Sequence, residues 1–135
     1  MHYSFSIFYA ILTMFNQKEE KLKIGVDIEE ISRFEAKSQE FLDRIFTKNE
    51  QNYCFSKPKP QSHLAVRFCA KEAVIKALNS MNLPHPRLGQ IEVCHNENGC
   101  PKINLPQENI YLNLKIELSL SHDQTKAIAF VIIED

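Results

Sequence analysis

Apolar positions crowd most densely in residues 67–78, Arg-Phe-Cys-Ala-Lys-Glu-Ala-Val-Ile-Lys-Ala-Leu. At helical period Phe68, Ile75 and Leu78 form one stripe, while Cys69, Ala70, Ala73, Val74 and Ala77 keep most other faces small and dry. A helix so apolar on most sides predicts burial. Upstream, residues 22–27 form a short apolar strand ending Gly-Val-Asp, after which Ile28, Ile31, Phe34, Phe41 and Ile45 recur at helical spacing through about Phe46. That spacing predicts a single helix with Asp27 at its junction with the strand. Thr47 opens a short helix over residues 49–55, and the basic stretch 56–62, with Pro58 and Pro60, reads as an irregular loop.

Beyond the central helix, residues 79–88 contain Pro84 and Pro86 and predict a loop. Residues 91–95 and 102–105 flank Asn-Glu-Asn-Gly as two strands of a hairpin, with Gly99 free to take a positive φ. Residues 107–113 fit no single pattern. Ile116, Leu118 and Leu120 alternate with Glu117, Ser119 and Ser121, as a strand with one wet face does, and residues 127–133 are continuously apolar, which predicts an inner strand. Ser121 and His122 thus fall at a strand end beside the tight turn 121–126.

The first residues change the picture of where the domain lies. Residues 3–15 are mostly apolar and aromatic, lack a preceding positive region and a small-residue cleavage site, and are too few to span a bilayer. Three readings are open: an upstream, unused start with Met14 as the true one, an extra packing or membrane-surface segment, or a tail made sticky by Phe5, Ile7, Phe8 and Tyr9. The first is preferred. Residues 17–21 read as a charged linker, so the expected division is an extension over 1–21 and a domain over 22–135.

At 135 residues and 44% hydrophobic, the chain suits one domain with a real core. A net charge of −1 argues against a protein that grips nucleic acid by bulk charge. Four cysteines without CxxC spacing point to a reducing cytoplasm. Cys94, His95 and Cys100 lie around one turn, but no fourth ligand stands at a zinc-like spacing.

Charge inside the buried helix is the main chemical signal. Arg67, Lys71, Glu72 and Lys76 are costly there unless paired, bound to metal, or facing a charged ligand. Glu72 and Lys76 lie one turn apart and can simply pair with each other. Asp27 can cap the following helix or serve a site. Arg33, Lys37 and Arg44 share one side of the predicted first helix, a basic face interrupted by Glu40.

Four separated pieces carry a family resemblance: Ile-Gly-Val-Asp-Ile at 24–28 with Arg33, Arg-Phe-Cys-Ala-Lys-Glu-Ala at 67–73 with Lys76, Asn-Gly-Cys-Pro at 98–101, and Leu-Ser-Leu-Ser-His-Asp at 118–123. Over residues 23–134 the chain resembles the holo-acyl-carrier-protein synthases, the small bacterial 4′-phosphopantetheinyl transferases. The resemblance implies an α+β fold, an antiparallel sheet packed with a long buried helix, assembled as a homotrimer with active sites at subunit interfaces. It implies transfer of phosphopantetheine from coenzyme A to a serine of acyl carrier protein with Mg2+, for fatty acid biosynthesis in the cytoplasm.

Residue by residue, Asp27 and Glu72 match the family's magnesium ligands, and magnesium commonly takes one or two carboxylates plus phosphate and water. Lys76, one turn from Glu72, is then a cation beside the same phosphates. Arg67, Ser121 and His122 match positions near the coenzyme A phosphates, where a guanidinium fork and an imidazole suit anions. The catalytic set is Glu72, Lys76 and His122, with the serine proton going to His122, to Glu72 or to a metal-bound water. Arg33, Lys37 and Arg44 are the expected docking residues for the acidic carrier protein. Cys100, where the family tends to place Lys, and Glu40, among family basic residues, depart from the pattern, and residues 1–20 have no counterpart. Without the resemblance, the same carboxylates and lysine also suit a metal-dependent nuclease, or a module that only binds coenzyme A or a carrier protein.

Overall fold

A computed structural model describes residues 2–16 and 21–135. Its elements are helix α1 (His2–Asn16), strand β1 (Leu22–Glu30), a 3-10 turn (Ile31–Phe34), helices α2 (Gln39–Ile45), α3 (Lys48–Phe55) and α4 (Pro60–Ser80), a second 3-10 turn (Leu88–Gln90), and strands β2 (Glu92–His95), β3 (Pro101–Asn104), β4 (Lys115–His122) and β5 (Lys126–Glu134). Three strands form an antiparallel sheet in the order β1-β5-β4, and β2 pairs with β3 as a separate hairpin. The class is α+β, with α4 laid across one face of the three-stranded sheet.

Three boundaries differ from the expectation. β1 continues three residues past Asp27, to Glu30, so Asp27 lies within the strand opposite Ala129 rather than capping a helix. The apolar spacing from Ile31 to Ile45 is split between a 3-10 turn and α2, because Ala36 takes φ 49° and the Ser38 side chain accepts the Phe41 N–H to start a new helix. α4 begins at Pro60, seven residues before the densest apolar run. Proline suits the first helical position, where its missing N–H has no intrahelical acceptor anyway. The short helix after Thr47 matches expectation, closed by a reciprocal pair of bonds between Thr47 and Glu50.

β5 is the middle strand, yet its two faces differ. Ala127, Ala129, Val131 and Ile133 are fully buried under α4, whereas Ile128 and Phe130 are 39% and 40% exposed. The register sets Ile24, Val26 and Ile28 of β1 beside Ile132, Phe130 and Ile128, so an apolar row runs over the β1–β5 part of the sheet face turned away from the helix, beside Glu117, Ser119 and Ser121 of β4.

α4 meets β1 at Gly25, where an added Cβ would stand 1.9 Å from the Ala73 carbonyl oxygen. Backbone touches backbone there. Lys71, expected to need a partner, is fully buried and donates to Glu50 Oε1 (2.7 Å) and to the carbonyls of Ile45 (2.7 Å) and Leu88 (3.0 Å). Glu50 in turn accepts the N–H groups of Thr47 and Val93, so one ion pair ties α2, α3, α4 and β2 together.

In α1 the side chains of Ile7, Phe8 and Tyr9 are 61%, 66% and 70% exposed. Most of the expected linker, residues 17–20, lies outside the described residues. No described helix is long and apolar enough to cross a membrane.

Candidate active site

Successive turns of α4 run along the inner side of β1 and assemble the first group of side chains. Lys76 Nζ donates to the Val26 carbonyl (2.9 Å) and to Asp27 Oδ1 (3.2 Å), so in place of the private pair with Glu72 that the spacing allows it makes a bridge to the strand. The Glu72 side chain makes no hydrogen bond or ion pair among the described residues. It stands one turn from Lys76, and one turn from Cys69, whose thiol packs beside Asp27 and donates to the Ala127 carbonyl at 3.3 Å. Asp27 Oδ2 is buried without a hydrogen-bond partner, an arrangement that costs free energy unless something absent from the chain satisfies it.

Next along the strand, Glu29 pairs with Arg33 at 2.7 Å. Burial pushes the Glu29 carboxyl up from its ordinary value, and the nearby Asp27 charge adds to this against the opposing hydrogen bond from Arg33. Burial likewise pushes the Cys69 thiol up to about 12, so it is an uncharged filler between the acids. No group of three or more His, Cys, Asp or Glu converges on a metal position among the described residues. Two hard carboxylates with an orphaned oxygen fit an ion that takes its other ligands from phosphate and water, as magnesium does.

A second group lies at the N-terminal part of α4. Arg67 is 3% exposed, has no carboxylate partner among the described residues, and leaves Nε without a hydrogen bond. Its guanidinium rests 4.3 Å from the Tyr53 ring centroid, with Nη1 donating to the His63 carbonyl at 3.3 Å. His122 reaches the same region, its ring centroid 6.4 Å from that of His63. Its Nδ1 faces the Asp123 carbonyl at 3.1 Å. A carbonyl only accepts, so the hydrogen sits on Nδ1 and Nε2 keeps the lone pair.

The remaining expected site residues are dispersed. Ser121 and His122, adjacent in β4, point to opposite faces, and Ser121 lies on the outer face opposite Ile128. Arg33, Lys37 and Arg44 do not share one helix: Arg33 is in the 3-10 turn, Lys37 follows it, and Arg44 is in α2, 3.4 Å from Glu40. Arg33 is further held over the Phe68 ring at 5.2 Å. Tyr53, His63 and His95 around Arg67 were not anticipated, because single aromatic and imidazole side chains on separate elements leave no periodic or spaced signal.

A sequence profile described as the 4'-phosphopantetheinyl transferase superfamily matches residues 23–131. The chain belongs to that superfamily. It is 41% identical over 114 residues to a holo-[acyl-carrier-protein] synthase of Thermodesulfovibrio yellowstonii, covering 82% of this chain and 96% of that protein. Among solved structures it resembles a holo-(acyl-carrier-protein) synthase from Bacillus anthracis in complex with CoA (3',5'-ADP), with a TM-score of 0.69 and 31% identity over 84% of this chain and 96% of the other. It also resembles the Helicobacter pylori holo-[acyl-carrier-protein] synthase in complex with coenzyme A, with a TM-score of 0.67, 32% identity, and coverage of 82% and 98%. The superfamily match spans β1, α4 and β4, the elements that carry Asp27, Glu72, Lys76, Arg67 and His122.

Proposed function

We propose that this protein is a holo-acyl-carrier-protein synthase, moving the 4′-phosphopantetheine group of coenzyme A onto a serine of apo acyl carrier protein for fatty acid biosynthesis. The observation that carries the reading is the pairing of Asp27, with its buried and unsatisfied Oδ2, and the unpartnered Glu72 beside Lys76, in a chain 41% identical to a named synthase.

In the reaction the serine oxygen forms a bond to the phosphorus nearer the pantetheine. The bridging P–O bond of the pyrophosphate breaks, and adenosine 3′,5′-bisphosphate leaves. Asp27 and Glu72 are the residues that would hold Mg2+, which when bound neutralises phosphoryl charge. Lys76, half-exposed and fixed by Val26 and Asp27, presents its ammonium to the same phosphates. Arg67 binds a substrate phosphate from its buried position, which the lack of a carboxylate partner among the described residues leaves open to an anion. His122, with Nε2 free to accept, takes the serine proton.

The outer sheet face supports assembly. Its apolar row is of the kind soluble chains usually cover, and the occupant proposed is a second and third copy of the chain in a homotrimer with sites at the interfaces. Ser121, on that face, would serve a neighbour's site. Arg33, Lys37 and Arg44 supply positive charge for an acidic carrier protein, from three short segments rather than one helix. The domain occupies residues 22–135, with 1–21 as an extension, and four free cysteines suit the cytoplasm.

The deciding experiment is mass spectrometry of apo acyl carrier protein incubated with coenzyme A, Mg2+ and this protein. The expected product carries the added phosphopantetheine on its serine. An unmodified carrier in the presence of folded protein, with coenzyme A still bound, would make the protein a binding module instead.

A further inference from the structure

The three cations expected to meet a carrier protein are all engaged within the chain. Arg33 Nη1 donates to Glu29 Oε2 at 2.7 Å, and Arg44 Nη2 donates to Glu40 Oε1 at 3.4 Å. Lys37 rests its ammonium 5.1 Å from the Phe41 ring centroid. Each arginine therefore has a carboxylate of its own chain one turn away. Residues 29–44 hold the acids Glu29, Glu30, Glu35, Glu40 and Asp43 against these three bases, so the segment is net negative. Glu30 is answered from β5 by Lys126, whereas Asp43 accepts only from the neutral amides of Gln39 and Gln51 and keeps its charge.

The two arginine pairs are built differently. Glu29 shares the inner face of β1 with Asp27 and has a side chain 16% exposed, while that of Arg33 is 54% exposed. Phe68, whose ring supports the Arg33 guanidinium, lies one turn before Glu72 on α4. Only Nη1 of Arg33 is hydrogen-bonded; Nη2 and Nε have no such partner among the described residues, so one edge of the fork is open to a carboxylate from outside. A partner engages Arg33 by sharing it with Glu29. Arg44 and Glu40 are both well exposed, and such a pair adds little stability, but the acid still offsets the charge of the arginine beside it.

Resting on the docking reading above, we propose that Glu29 and Glu40 are specificity-determining residues: they are internal counter-ions that cancel the long-range field of Arg33 and Arg44, so the carrier protein is admitted by carboxylates placed to share these arginines and not by its net negative charge. Two opposite charges side by side present a dipole, whose field dies away faster than that of either charge alone, and salt screens what remains beyond about 10 Å at 0.1 M. Acidic proteins without matching carboxylates are then not retained. The same device suits turnover. Apo and holo carrier present the same acidic surface, so strong steering would tighten substrate and product equally and slow release without aiding the chemical step.

The test is steady-state transfer to apo acyl carrier protein over a range of ionic strength, using the full chain as wild type, Glu29→Gln, Glu40→Gln and Glu40→Asp. Each Gln variant is expected to lower the KM for the carrier about three- to tenfold at low salt, to steepen the fall of kcat/KM as salt is added, and to tighten holo carrier by a similar factor. Glu40→Asp keeps the charge and should follow the wild type. The gain from Glu29→Gln should vanish when Arg33→Gln is also present. An unchanged KM and salt slope in either Gln variant would overturn the role of that residue, and a KM that rises in Glu29→Gln would make Glu29 an anchor for Arg33 instead of a brake on it. A gain that survives without Arg33 would overturn the assignment of Glu29 to that arginine. Coenzyme A should bind Glu40→Gln and the wild type alike, which reports an intact fold. Absence of transfer by the wild type would overturn the synthase reading and the counter-ion role with it.

Discussion

Asp27 and Glu72 invite substitutions that keep shape and remove charge. Asp27→Asn and Glu72→Gln are each expected to lower turnover by about two orders of magnitude or more at limiting Mg2+, with circular dichroism and melting unchanged. Turnover near the wild-type value would make the residue a structural group rather than a ligand. The cysteines separate by exposure and ionisation: Cys54 and Cys69 are buried with thiols pushed up to about 11 and about 12, whereas Cys100 is exposed and Cys94 half-buried. Iodoacetamide on the native protein should therefore label Cys100 and Cys94 and spare the other two, read by peptide mass mapping. His63 and His95, both held low by burial, give a signed pH effect. Between the unfolded imidazole value, ~6.5, and the lower folded values, the unfolded chain binds more protons, so stability rises with pH across that window and is lost as pH falls through it. Urea midpoints measured from mildly acidic to neutral pH should show this slope, and it should flatten when both are Gln.

At the scale of elements, the contact of α4 with β1 is the most sensitive joint. Gly25→Ala places a methyl group against the Ala73 carbonyl, so strand and helix must part; a cost of about 1–3 kcal/mol in urea unfolding is expected, together with loss of turnover as Lys76 and Asp27 separate. Lys71→Met removes one member of a fully buried pair and leaves Glu50 charged in the core, with an expected cost of about 3–5 kcal/mol. How much of this was legible in the sequence follows from what each element depends on. Strands β4 and β5 and the hairpin around Gly99 were legible, because alternation and a turn glycine are local properties. The first helix was not, since Ile31 and Phe34 suit a 3-10 turn as well as an α-helix, and only the left-handed Ala36 and the Ser38 cap decide between them. The buried helix announced that Lys71 needed a partner but not that Glu50, 21 residues earlier, would be it. The resemblance singled out Asp27, Glu72 and Lys76 as proposed site residues; that Lys76 bridges to Asp27 required the fold.

For the whole molecule, removal of residues 1–21 is expected to leave assembly and turnover intact and to raise solubility, since the described side chains of α1 are exposed and the superfamily match begins at residue 23. A loss above about 2 kcal/mol would mean that the segment packs into the domain. The sheet itself has an unequal pair of surfaces, one sealed by α4 and one lined by Ile24, Val26, Ile28, Ile128 and Phe130. A protomer with Phe130→Glu should run as a monomer in sedimentation and lose turnover. Mass action then reaches the chemistry: in the proposed homotrimer three chains meet for each assembled particle, so specific activity is expected to decline on serial dilution more steeply than a two-body association would allow, and the abundance of the polypeptide would itself set how active each copy is.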